Sequence, residues 1–245
     1  MNFKLKYVLI FLFASTIIFA NTQKPVYKTG KILKIVKINK NLFFTGLKNR
    51  GLFKINENNT KTRILSDKKI IINIYENKGK LNIETSDGNY LYDGFKLNKV
   101  KNDSLKIKQT EKKIYIRKNN IWLKISPDDN DIYYAPRIKD NLVLFSGVKA
   151  GILIYNINSQ TTTFISKGVD ASFSDDGKKV TFAKVYDNGE TYTGSEIFIY
   201  DIKSKKLTKV ISKENNTINR YPYLYKNILY FNKNFNIYQL NLNGE

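Results

Sequence analysis

The 245-residue chain carries 42 Lys and Arg against 21 Asp and Glu, a formal charge of +21, and 42% of its residues are hydrophobic. That apolar share excludes a disordered chain, and the length suits one large β domain or at most two smaller ones. Cysteine and histidine are both absent, which excludes disulfides, thiolate nucleophiles, Cys/His zinc sites and Ser-His-Asp triads.

In chain order, the first segment is "MNFKLKYVLIFLFASTIIFA". Lys4 and Lys6 form a short basic start, and Tyr7 to Ala20 is an uncharged, mostly apolar run. A membrane-spanning helix needs about 20 apolar residues, so this run is short for one. Ile18 and Ala20 suit the −3 and −1 positions of a cleavage site, and polar "NTQK" follows. The segment therefore reads as a secretory signal peptide over 1–20, followed by a single domain over 21–245 with no stable membrane span. Export without cysteine suits a bacterial periplasm or exterior.

Beyond residue 21 no amphipathic helix is evident. Short apolar runs alternate with turns rich in Asn, Asp, Lys and Ser, the pattern of an all-β chain. An aromatic-rich strand ending in a polar turn recurs: "GLFKINENNT" from Gly51, "GNYLYDG" from Gly88, "NIWLKIS" from Asn120, "GILIYNINSQ" from Gly151, "EIFIYDIKSK" from Glu196 and "NIYQLNLNGE" from Asn236. The spacing, roughly 30 to 45 residues, lies in the range of propeller blades. Before each lies a pair of strands broken by a polar turn, as in "PRIKDNLVLFSG" and "PYLYKNILYFNK", and after most lies a short strand such as "TTTFIS" or "KLTKVIS". The third unit lacks a clear fourth strand. One such sheet cannot bury its own faces, whereas about six arranged radially can. The expected fold is a six-bladed β-propeller of four-stranded antiparallel blades. The last unit ends after its third strand, and "KPVYKTGKIL" from Lys24 is positioned to supply the fourth, closing the ring and removing an exposed edge.

At "DASFSDDGKKVTFA…SEIFIYDIKSKKLTKVIS", Asp170 to Ser212, the chain resembles the TolB-like, WD-repeat-like β-propeller repeat of bacterial envelope proteins. The likeness covers most of residues 31 to 245 by period and the second half by motif. It implies a periplasmic binding scaffold within an envelope complex. The chain leaves no room for the extra N-terminal α/β domain of the family's namesake, so the resemblance does not extend to the namesake's translocation role.

Three groups of residues invite a functional reading. Asp175 and Asp176 of "SDDG" could be a catalytic carboxylate pair, but neighbours on a strand end point to opposite sides, and Asp-Gly is turn chemistry. "SPDDND", Ser126 to Asp131, superficially resembles a calcium loop. Counting from Asp128 or Asp129, the fifth position is Ile132 or Tyr133, and no terminal Glu follows. Neither metal nor cofactor is expected. The third group stands at the entries to first strands: Tyr133, Tyr134, Arg137, Asp170, Arg220 and Tyr221. In a propeller these segments ring one mouth of the central channel, where Arg and Tyr suit a peptide or an acidic group.

The expectation is thus a non-enzymatic exported scaffold whose partner is an envelope protein or peptide. A secreted binder of anionic polymer (wall polymer, lipopolysaccharide or host glycan) is the alternative, and a propeller hydrolase or lyase comes third. Export argues against a nucleic-acid partner. The charge has a plain alternative source, a coding bias toward Lys, Asn, Ile, Phe and Tyr, because the basic residues are scattered rather than clustered.

Overall fold

The computed structural model describes residues 23–27, 32–100 and 107–243. The expected signal peptide, 1–20, lies outside the described residues. Within them the chain is all-β, with no α-helix.

The first sheet is β2 (Ile32–Ile38), β3 (Asn41–Gly46), β4 (Arg50–Ile55) and the start of β5 (Lys61–Asn77). β5 is a 17-residue strand that belongs to two sheets. Residues 61–65 pair with β4, and residues 71–77 pair with β6 (Lys80–Thr85), which leads into β7 (Gly88–Tyr92) and β8 (Leu97–Val100). The third sheet has, among the described residues, three strands, β9 (Ile107–Thr110), β10 (Lys113–Lys118) and β11 (Ile121–Lys124). The fourth is β12 (Tyr133–Lys139), β13 (Leu142–Gly147), β14 (Gly151–Asn156) and β15 (Thr161–Ser166). The fifth is β16 (Val169–Phe173), β17 (Lys179–Asp187), β18 (Tyr192–Asp201) and β19 (Leu207–Ile211). The sixth is β20 (Asn219–Tyr225), β21 (Ile228–Lys233) and β22 (Asn236–Asn241), and its fourth strand is β1 (Lys24–Tyr27). β1 runs antiparallel to β22, with Lys24 opposite Gln239 and Tyr27 opposite Ile237.

Every ladder is antiparallel, and each hairpin follows from turn chemistry. Tight two-residue turns need backbone in the left-handed region. The chain supplies it at Lys78–Gly79 (φ 52° and 74°) and at Asn119–Asn120 (φ 50° and 65°). Asn tolerates this region better than other residues with a Cβ. That is how a turn-rich chain manages with 13 glycines.

Strands covered on both faces carry continuous apolar runs. Val143, Leu144 and Phe145 of β13 are fully buried, and so is Phe182 of β17. Burying each such side chain stabilises by about 1.5–3 kcal/mol. The side chains collect into clusters between neighbouring sheets: first and second (Leu52, Ile71, Leu81), third and fourth (Ile114, Val143, Phe145), fourth and fifth (Leu144, Ile152, Phe182), fifth and sixth (Ile197, Leu229, Phe231), and sixth and first (Phe44, Tyr230, Ile237). The second and third sheets meet differently. A cavity of about 330 Å³ lies between them, lined by Tyr75, Asn77, Ile83 and Glu84 on one side and Ile107 and Lys108 on the other. Pro136 and Ile138 of β12 also line it.

First strands pack against first strands. β2 touches β5 and β20, β20 touches β16, β16 touches β12, and β12 touches β5. The buried Lys139–Glu76 ion pair joins β12 to β5. The third sheet packs on the fourth through β9 and β10, both against β12.

Candidate functional site

Four first strands carry a bulge at one place: β2, and the three in which a left-handed residue opens it. The register jumps between Tyr134 and Arg137 in β12, between Val169 and Ser172 in β16, and between Arg220 and Tyr223 in β20. The residues opening these bulges, Ala135, Asp170 and Tyr221, have φ of 52°, 57° and 52°. A residue with a Cβ held there stores on the order of 1 kcal/mol or more of strain. A bulge also re-aims the side chains beside it. The second bulge position is Pro136 in β12 and Pro222 in β20, where a ring removes an N–H that the ladder has left behind. The freed carbonyls are caught from the neighbouring sheet. Asn73 Nδ2 donates to the Pro136 carbonyl at 2.8 Å, and Thr181 Oγ1 donates to that of Pro222 at 2.9 Å.

Asp170 is the hub of what these bulges bring together. Arg220 donates to its carboxylate through Nε and, at 3.1 Å, through Nη2, a two-point grip. The Tyr221 backbone N–H donates to it at 3.3 Å. The Arg220 guanidinium also lies 5.1 Å from the centroid of the Tyr221 ring. Burial pulls the Arg220 pKa down, but the bonded Asp170 carboxylate more than offsets that and holds it above its ordinary value. Burial raises Tyr134 and pushes Tyr221 up to about 12, with the Asp170 charge acting in the same direction on both.

Beside this pair stands Arg137, 9% exposed. Its buried Nε has no hydrogen-bond partner. Burial draws its pKa down to about 10, and Asp170 and Tyr75 partly oppose the fall. Lys34, at the β2 bulge between Ile32 and Ile35, donates from Nζ to the Ile72 carbonyl. Its pKa falls to about 8, through burial first and the charge of Arg137 second, with Asp170 and Glu84 pulling the other way. Burial raises Glu84, and Lys34 partly opposes the rise. An unpartnered guanidinium nitrogen and two tyrosines therefore share one neighbourhood with the Asp170–Arg220 pair.

Of the six residues expected from the sequence, five meet here: Tyr134, Arg137, Asp170, Arg220 and Tyr221. Tyr133 stands elsewhere. It is fully buried among the third and fourth sheets, packs edge-on against Phe145 at 5.7 Å, and donates from its hydroxyl to Asp129 at 2.8 Å. Sequence reasoning missed Lys34 and Glu84. The repeat register held the signal for Lys34. Aligning β2 with β12 on their bulges puts Lys34 opposite Pro136.

Both acidic motifs are structural. The Asp131 carboxylate accepts backbone N–H groups of Ile132, Lys149 and Ala150 at 2.8, 2.9 and 2.7 Å, stapling the β13–β14 turn. Asp176 accepts from Ser174 Oγ at 2.7 Å and from the Lys178 N–H at 3.1 Å, a local turn with Gly177 at φ 70°. Asp175 acts across sheets: it accepts the Lys226 N–H at 2.9 Å, and its own N–H donates to the Leu224 carbonyl at 3.1 Å. Among the described residues no cluster of three or more acidic side chains could hold a metal ion.

No family model matches the chain, and no curated protein matches it. Solved structures do. A structural genomics protein of unknown function from Bacteroides thetaiotaomicron VPI-5482 is 11% identical, with 90% of this chain and 72% of that one covered and a TM-score of 0.61. Virginiamycin B lyase from Staphylococcus aureus is 11% identical over 90% of this chain and 98% of that one, with a TM-score of 0.53. The chain spans 28% of the tricorn protease, a partial likeness at 13% identity and a TM-score of 0.44. The Bacteroides and Staphylococcus structures are β-propeller-like, and so is the fold of this chain. At such identities the likeness carries fold alone.

Proposed function

We propose that this chain is an exported, non-enzymatic binding scaffold: a six-bladed, TolB-like propeller, closed by β1 on the sixth sheet, that holds a protein or peptide partner in a bacterial envelope. The carrying observation is the convergence of Tyr134, Arg137, Asp170, Arg220 and Tyr221 from three strained first strands. Strain kept at one repeated position is a signature of function, and Arg with Tyr is the pairing that dominates binding hot spots. The pairing of β1 with β22 supports closure. The apolar run over Tyr7 to Ala20 supports export.

The test is cross-linking in intact cells, with capture compared between wild type and a Tyr134→Ala, Tyr221→Ala double variant. Loss of one defined partner, with the melting temperature kept within a few degrees, is the expected result. Capture of the same partner by both proteins would overturn the assignment of this face.

The charge of +21 favours a second reading, an exported binder of anionic polymer. Polymer binding weakens steeply as salt rises through the screening range, whereas a packed protein interface holds.

A further inference from the structure

Arg137 and Lys34 carry the site further. Nine-tenths of Arg137 is buried, and its Nε faces no acceptor. No ion pair or side-chain hydrogen bond engages the guanidinium among the described residues. Asp170 is the carboxylate that acts on it electrostatically, but it is already gripped by Arg220 through two nitrogens. Lys34 stands within electrostatic reach of Arg137, and among the described residues its ammonium is bonded to the Ile72 carbonyl. A buried cation without a counter-ion is costly, and the molecule has left this one unanswered where the binding face converges.

We propose that Arg137, assisted by Lys34, is the receptor for a single carboxylate presented by a peptide partner. The inference rests on the binding-face reading above and names the chemistry it recognises. Three observations select a carboxylate over other anions. The charges here are three cations, Lys34, Arg137 and Arg220, against two anions, Glu84 and Asp170, so a monoanion neutralises the site and a dianion overshoots. A guanidinium fork matches the two coplanar oxygens of a carboxylate. The flanking residues are Tyr134 and Tyr221, whose rings suit the apolar side chains of a peptide and whose hydroxyls suit its polar backbone.

The test uses the purified protein and small probes, so it does not depend on knowing the partner. N-acetylglycine presents a terminal carboxylate, N-acetylglutamic acid α-amide a side-chain carboxylate, and N-acetylglycinamide none. Calorimetry at low ionic strength is paired with the Arg137 Nε–H resonance in a nitrogen-labelled spectrum. At least one carboxylate probe should bind in the millimolar range and move that resonance, and the neutral amide should not. The tighter of the two carboxylate probes identifies a chain end or a side chain as the source. Arg137→Met should weaken binding by about 10-fold or more, the expected loss of a charge-assisted two-point contact. Lys34→Gln, which keeps Arg137 and its surroundings, should weaken it by about 3-fold, as suits a screened neighbouring charge.

Inorganic phosphate or sulfate binding more tightly than both carboxylate probes would overturn the proposal. So would heparin binding that Arg137→Met leaves unchanged while no carboxylate probe moves the Arg137 resonance. If the carboxylate probes fail but partner capture still depends on Tyr134 and Tyr221, the carboxylate assignment falls and the binding face stands.

Discussion

The junction between the fourth and fifth sheets and that between the second and third are built from the same kinds of strand, yet only one is packed. At the former, Phe182 is fully buried and stacks on Phe198, with centroids 5.5 Å apart and rings 13° from parallel, amid Leu144, Ile152 and Val180. At the latter, Ile83 and Ile107 face a cavity of about 330 Å³ whose lining includes Asn77, Asn82, Asn89 and Gln109. The difference follows from register and partners. β16 lies against both β12 and β20, the first strands of the sheets on either side, whereas β5 lies against β2 and, past the third sheet, against β12 rather than β9. A first strand already engaged with β12 leaves the third sheet to pack on the fourth.

Substitution at the two junctions should widen that contrast. Phe182→Ala removes a stacked ring from a closed interface and should cost about 3–5 kcal/mol in chemical denaturation. Ile107→Ala, beside a space that already exists, should cost about 2 kcal/mol, the low end for such truncations. Equal losses would mean that the second junction is as tightly packed as the fourth.

A smaller effect separates the two carboxylates of "SDDG". Asp175→Ala breaks the contact with Lys226 on the sixth sheet and should cost about 1 kcal/mol. Asp176→Ala disturbs only its own turn and should cost about half of that. A reversed order would contradict the cross-sheet role of Asp175.

A further difference concerns Lys34 and is read by pH. Its pKa in the folded chain is about 8, against 10.5 for an ordinary lysine. Charge on it is disfavoured by burial and by Arg137 of β12, and favoured by Asp170 of β16 and Glu84 of β6. Between these two values the unfolded chain holds the extra proton, so wild-type stability rises with pH across that window. Below it the penalty is constant. Lys34→Gln should therefore be the more stable protein at pH 7, and its advantage should shrink as pH rises from 8 to 10.5. Parallel curves would show that Lys34 is fully solvated.

Much of the architecture was legible because it is local. Alternation and continuous apolar runs marked the strands, and Asn, Lys and Gly at the turns marked the hairpins. "SDDG" was read correctly as a turn because Asp-Gly backbone chemistry operates within a few residues. Its second role was invisible, because the Lys226 N–H that Asp175 accepts lies 51 residues on. Tyr133 shares with Tyr134 the entry to a first strand, the feature that groups both with the channel mouth in the sequence. Neighbours on a strand face opposite ways, and burial among Ile114, Val143 and Phe145 took Tyr133 into the core.

The sequence by itself determined an all-β chain of repeated units and the chemistry excluded by the absence of cysteine and histidine. Those are properties of composition and short-range pattern. Only the tertiary structure decided that β5 serves two sheets, that a cavity opens between the second and third, and that Lys34, Arg137 and the Asp170–Arg220 pair stand together. Their separations along the chain run to 186 residues between Lys34 and Arg220. No local preference spans such distances, and the bulged first strands from different sheets bring these charges into reach of one another.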